Sequence, residues 1–182
     1  KRFVISFNGE IYNFKELREA LKQSGVQFKS NTDTEVLLEG YKLFGKSFIQ
    51  HLDGMFACAI YEIESNKLLI FRDRAGEKPI YYIDNIDFFV FSSEFKPLLN
   101  LKNFINFSIS KKSLFDFLAF RFSTKQKTMF NEIFKLEPGC FIEISKTKSL
   151  SIKRYFSFNV YPEDVTDKKH GHDLIDKIHD TI

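Results

Sequence analysis

The 182-residue sequence predicts an α+β domain in which two β-sheets are packed between helical layers. Two observations carry that expectation. Apolar runs of strand length, such as Met55–Ile63, are almost continuous, which implies strands covered on both faces. Segments with apolar residues at helical spacing are interleaved with them, and glycines stand at the joints.

Taken in order, Phe3-Val4-Ile5-Ser6-Phe7 reads as the first strand. Asn8-Gly9-Glu10-Ile11-Tyr12-Asn13 follows as a polar elbow where that strand ends. Phe14 to Gln23 carries Phe14, Leu17 and Leu21 on one helical face, and Gly25 ends it. Val26-Gln27-Phe28 is expected as a short strand. Asn31, Thr32 or Asp33 caps a second helix bearing Val36, Leu37, Leu38 and Tyr41, which Gly45 closes, and Phe48 to Leu52 adds a helical turn. Met55–Ile63 and Leu68–Arg72 form a hairpin across Glu64–Lys67; Ile80–Ile83 and Phe88–Ser92 form a second across Asp84–Asp87. Ser113–Phe120 is a further helix, and Cys140–Ile144 with Ile152–Phe156 is a final strand pair. From Asn159 to His172 the composition is that of a linker, with Pro162 and Gly171 among polar residues. Asp173 to Ile182 places Leu174, Ile175 and Ile178 at helical spacing, so the boundaries read 1–158, 159–172 and 173–182.

Composition narrows the function. The chain is 43% hydrophobic and large enough to fold as one domain without metals or disulfides. Its net charge is +3, with basic residues scattered among 24 acids and no block beyond pairs such as Lys111-Lys112, which argues against nucleic-acid or membrane binding. No apolar run approaches the ~20 residues of a membrane span. Two cysteines without metal-type spacing fit a reducing, cytoplasmic compartment. Cys58, inside an apolar run, and Cys140, after Pro138-Gly139, both read as packing residues and not as nucleophiles. His51, His170, His172 and His179 have no acid or nucleophile arranged around them, and no metal site is expected. The 23 Phe and no Trp suggest that Phe fills the core.

The chemistry lies in Asn8 and Gly9. A side-chain amide beside a glycine N–H supplies two donors of the kind an oxyanion needs in acyl transfer. The same pair also suits an ordinary turn. Asp33 has an N-cap reading, Glu10 that of an acid near a helix start, and Arg72, Asp73, Arg74 and Lys78 that of a structural ion-pair network.

The Asn8–Asn13 motif resembles the signature of class II glutamine amidotransferases, and their asparagine synthetase branch in particular. Ser30-Asn31-Thr32-Asp33-Thr34-Glu35, Arg72-Asp73-Arg74-Ala75-Gly76-Glu77-Lys78-Pro79-Ile80-Tyr81-Tyr82 and Ser92-Ser93-Glu94-Phe95-Lys96 resemble later segments of that family in the same order. The resemblance implies a four-layer αββα sandwich of the N-terminal nucleophile hydrolase type. It also implies a glutaminase that releases ammonia for ATP-dependent amidation of aspartate. Asn8 and Gly9 become the oxyanion hole, Glu10 lies along the bound L-glutamine, and Asp33 pairs with its α-amino group. The family's nucleophile is a cysteine at the mature N-terminus, whereas position 1 here is Lys1. The domain is therefore expected to lack its first strands, its nucleophile and the arginine that clamps the α-carboxylate. No cofactor is expected for this domain. ATP and Mg are implied for a downstream synthetase domain that receives ammonia from it, and the resemblance is compatible with a homodimer. Two alternatives stay open: the glutaminase of another class II amidotransferase, and a binding module that kept the fold without its nucleophile.

Overall fold

A computed structural model describes residues 2–121, 126–147 and 149–158. The expected linker and final helix lie outside these residues. The elements in order are β1 (Phe3–Ile11), α1 (Phe14–Gln23), α2 (Asp33–Phe44), a 3-10 stretch (Gly45–His51), β2 (Gly54–Glu62), β3 (Lys67–Arg72), β4 (Tyr81–Asp84) and β5 (Phe89–Ser92). There follow α3 (Lys96–Leu99), a 3-10 turn (Asn100–Asn103), α4 (Lys111–Phe120), β6 (Phe134–Lys135), β7 (Cys140–Ile144) and β8 (Leu150–Arg154). The larger sheet has the order β1-β2-β3-β7-β8 and the smaller one β5-β4-β6, every pairing antiparallel.

The alternation of β2 shows how the layers stack. Phe56, Cys58 and Ile60 face a core closed by Leu21 of α1 and by Val36, Leu37 and Tyr41 of α2. Ala57 and Ala59 face the other way, toward Ile80, Tyr82 and Phe91 of the second sheet and its approaches. Small side chains there leave room for the larger ones opposite within the ~10 Å that separates packed sheets. Beyond the second sheet Ile83 packs with Leu98 of α3, and Phe95 and Phe130 close that layer. The order of layers is helix, sheet, sheet, helix, as the sequence predicts.

The structure adds α3, the 3-10 turn and β6 to the expected elements and shifts the last strand from Ile152–Phe156 to Leu150–Arg154; two further expectations fail. Residues 26–28 form no strand: Val26 N–H donates to Leu21 O at 3.1 Å as the chain leaves α1, and Phe28 lies under the Arg18 guanidinium at 4.4 Å. The first strand does not stop at Phe7 but continues through Asn8 and Gly9 to Ile11. The elbow is therefore confined to Tyr12 and Asn13. Asn and Gly are poor strand formers in isolation, and pairing with β2 overrides that preference.

Candidate functional site

β1 and β2 stay in register from Phe3↔Glu62 to Ile11↔Gly54, which sets Gly9 opposite Phe56. In an antiparallel ladder a residue's N–H and C=O point to the same side, and opposed residues alternate between bonded and non-bonded pairs. Phe56 has both groups turned away from β1: its N–H donates to Asp73 Oδ2 at 3.2 Å, and its C=O accepts from Asp73 N–H at 2.8 Å. Gly9 must then turn its own N–H and C=O outward, to the edge of the sheet. The same phase runs along the strand, because Tyr12 N–H reaches inward to Asp53 O at 2.7 Å while Ile11 N–H reaches outward to Asp33 Oδ2 at 3.1 Å.

Gly9 is required by space as well as direction. Its φ is +148°, and a Cβ there would come within 2.1 Å of Met55 O and 2.6 Å of Phe56 Cα. A Cβ on Gly54, at φ +154°, would likewise come within 2.2 Å of Glu10 O on the opposite strand.

Asp33 arrives at this edge through a dense set of bonds around the start of α2. The cap is Thr32, whose Oγ1 accepts from Glu35 N–H at 3.2 Å, so Asp33 is not the N-cap. Thr32 and Glu35 have the spacing of a capping box, but the Glu35 carboxylate turns to the incoming loop instead. It accepts from Lys29 N–H at 2.7 Å and from Ser30 N–H and Oγ at 2.6 Å each. These bonds, led by the Ser30 hydroxyl, hold the Glu35 carboxyl below its ordinary pKa. Arg18, buried on α1, donates to Ser30 O at 2.8 Å and Thr32 O at 3.2 Å. Asp33 Oδ1 accepts from Thr34 N–H at 2.7 Å, which orients the carboxylate whose other oxygen meets Ile11.

The even-numbered side of β1 borders a cleft. Ser6 and Asn8 line it with Ala57, Ala59, Phe91, Ser92 and Ser93, around a volume of about 260 Å³. Among the described residues the Asn8 amide has no hydrogen-bond partner, and it is exposed, as are Gly9 and Glu10. Cys58 also borders the cleft, but its side chain belongs to the helix-side core. Burial pushes its thiol pKa well up. Cys140 is buried between the sheets, where desolvation likewise raises its pKa. Neither thiol is placed as a nucleophile for an acyl group at Asn8 and Gly9.

The Arg72–Lys78 segment is not the expected ion-pair network. Asp73 is fully buried, and its carboxylate accepts backbone N–H groups from Gly76, from Glu77 at 2.9 Å, from Lys78 at 3.0 Å and from Phe56. Arg72 does the converse, donating to the carbonyls of Gly76, of Lys78 at 2.7 Å and of Leu136 at 2.6 Å. Arg74 departs to Gln50 O and lies over the Phe156 ring. Charges here wrap backbone, because a buried turn has orphan amides and carbonyls to satisfy.

All four segments singled out in the sequence thus meet around the end of β1. Asn8 and Gly9 supply donors, Asp33 borders the edge, Asp73 holds the strand behind Gly9, and Ser92 and Ser93 face Asn8 across the cleft. Sequence reasoning missed Arg18 and Gly54, and placed Asn13 in the motif without assigning it a partner. Arg18 interrupts the apolar face of α1 four residues after Phe14, a signal that was legible. Asn13 accepts from Asp53 N–H and donates to His51 O, bonds spanning about forty residues that no local pattern reveals.

A family model described as a glutamine amidotransferase domain matches residues 1–156. Asparagine synthetase [glutamine-hydrolyzing] 1 of Bacillus subtilis is 36% identical over 180 residues, which are 99% of this chain and 28% of that protein. A putative asparagine synthetase [glutamine-hydrolyzing] of Mycobacterium tuberculosis is 35% identical over 159 residues, 85% of this chain and 24% of that protein. The chain therefore spans about a quarter of these relatives. Among solved structures, the glutamine phosphoribosylpyrophosphate amidotransferase of B. subtilis, complexed with ADP and GMP, superposes with a TM-score of 0.56 at 21% identity. The match covers 86% of this chain and 30% of that one, a likeness of fold.

Proposed function

The chain belongs to the class II glutamine amidotransferase family, and from that premise we propose that residues 1–158 act as the glutaminase domain of an asparagine synthetase-type enzyme. The observation that carries the proposal is the pairing of an exposed Asn8 amide with an outward-facing Gly9 N–H, one residue pair away from the Asp33 contact at Ile11. Two donors on adjacent residues at the end of β1 are of the kind that suits the oxygen of a tetrahedral intermediate. Asp33 offers a carboxylate for the α-ammonium group of an amino acid, and Glu10 offers a further polar contact along it.

In the proposed reaction a thiol adds to the side-chain amide carbon of glutamine, and the carbonyl electron pair moves to the oxygen, where Asn8 and Gly9 donate. The C–N bond then breaks, the nitrogen leaves protonated as ammonia, and water hydrolyses the thioester to glutamate. With Cys58 and Cys140 buried, the thiol is proposed to come from outside residues 1–182, from the mature N-terminal cysteine that the family resemblance implies. Residues 1–182 alone are accordingly expected to show no turnover. The ammonia would serve a downstream domain that uses ATP and Mg to activate aspartate, chemistry assigned outside these residues.

The burial of both cysteines also favours a second reading, a domain that binds an amino acid without hydrolysing it. Incubating the full-length protein with glutamine separates the two. Equimolar glutamate and ammonia are expected; glutamine binding without either product would select the binding module.

A further inference from the structure

We propose that Asp73 is a positioning residue for the oxyanion hole: its carboxylate fixes Phe56 so that Gly9, directly across the ladder, turns its N–H to the side of β1 away from β2. The inference rests on the glutaminase reading above.

Three of the four N–H groups bound by the Asp73 carboxylate come from one tight turn, at Gly76, Glu77 and Lys78. Those bonds would suffice to shape the turn. The fourth, from Phe56, lies 17 residues away in sequence and ties the turn to β2. Asp73 also donates its own N–H to Phe56 O at 2.8 Å, so one residue holds both polar backbone groups of Phe56. Phe56 is the registered partner of Gly9, and its Cα lies where a Gly9 side chain would have to go. Any shift of Phe56 toward β1 closes on Gly9, and any rotation of its peptide groups toward β1 would draw the Gly9 N–H inward.

The carboxylate is suited to this because it only accepts. An asparagine of the same size has one oxygen for four donors, and its amide hydrogens would face N–H groups. With 0% of Asp73 exposed, water has no access to repair that mismatch. Arg72 backs the arrangement from the next residue by holding Leu136 O, while Tyr155 Oη donates to Arg72 O at 2.6 Å.

The test uses the full-length protein with Asn8→Ala, Asp73→Asn and the double variant, each shown folded by near-UV circular dichroism. Asp73→Asn is expected to lower glutaminase kcat by about 10- to 100-fold and to change KM by less than about 3-fold, because transition-state donors act on kcat. The double variant should lose less than the product of the single losses, since both act on one oxygen. A folded Asp73→Asn enzyme with lower thermal stability but unchanged kcat, or losses that multiply, would overturn the proposal and leave Asp73 a turn-shaping residue. Where Asp73→Asn does not fold, Asp73→Glu, which keeps the acceptor charge and adds one methylene, is read in the same way. The two readings fail separately. An Asn8→Ala enzyme within about 3-fold of wild type would remove the glutaminase site itself, whereas a strong Asn8 effect with a silent Asp73 removes only this inference.

Discussion

At Gly9 the close packing of the backbone and the proposed chemistry meet in one residue. A methyl group there meets Met55 O at 2.1 Å, a backbone atom that cannot swing aside. Gly9→Ala is expected to destabilise the domain by about 1–3 kcal/mol, read as a lowered melting temperature, and to abolish glutamine hydrolysis in the full-length protein. Asp33 acts differently. Asp33→Asn keeps an acceptor for Ile11 N–H but removes the charge that would meet an ammonium group. Glutaminase KM should rise by about 10-fold or more with kcat little changed, and an unaltered KM would take Asp33 out of the binding site. These residues were legible because they stand in a recognisable motif. Their setting was not: Asn8 and Gly9 read locally as a turn, and only the nine-residue register with β2 makes them part of a strand. The Asp73 contacts were illegible for a related reason, since acidic and basic neighbours suggest each other as partners until burial shows that the backbone has the stronger claim.

At the scale of elements, the loop entering α2 decides where Asp33 sits, and Glu35 holds that loop. Its carboxyl pKa is lowered in the folded state from an ordinary value of 4.5, chiefly by the Ser30 hydroxyl and the Lys29 N–H. A lowered folded-state pKa means that the stabilisation is present above the ordinary value and fades as pH falls below it through the folded value. Thermal unfolding of wild type and Glu35→Gln should therefore differ most at neutral pH and converge as pH falls from the ordinary value of 4.5 through the folded one. A difference independent of pH would assign the effect to packing instead. Arg18 supports the same loop from α1, packing over Phe28 while binding Ser30 O and Thr32 O. The failure of the expected strand at residues 26–28 follows from these contacts. Its residues fold back onto α1 and the core, and among the described residues no neighbouring strand offers them a ladder.

For the whole molecule, the stacking of two sheets between helices was readable because β2 and β3 are apolar on both faces, a pattern that demands cover on each side. The phenylalanines were only partly readable. Phe56, Phe71, Phe48 and Phe141 occupy the helix-side core as expected. Phe104, Phe115 and Phe120, however, are 60–75% exposed. Phe115 and Leu118 lie together on α4, an apolar surface of the kind that drives association. Among the described residues β1 is also an edge strand, and Val4 on it is exposed. Residues 1–182 expressed alone should associate as concentration rises, and Phe115→Ser with Leu118→Ser should reduce that association in sedimentation velocity. A wild-type chain that stays monomeric throughout would contradict this view of the surface.

The proposed oxyanion hole of Asn8 and Gly9 is tested by kcat for glutamine hydrolysis by the full-length protein with and without Asn8→Ala. A loss of about 10²- to 10³-fold at nearly constant KM is expected if the amide donates to the tetrahedral intermediate. A folded Asn8→Ala enzyme within about 3-fold of wild type would mean that the end of β1 is a structural strand edge and that the chemistry lies elsewhere.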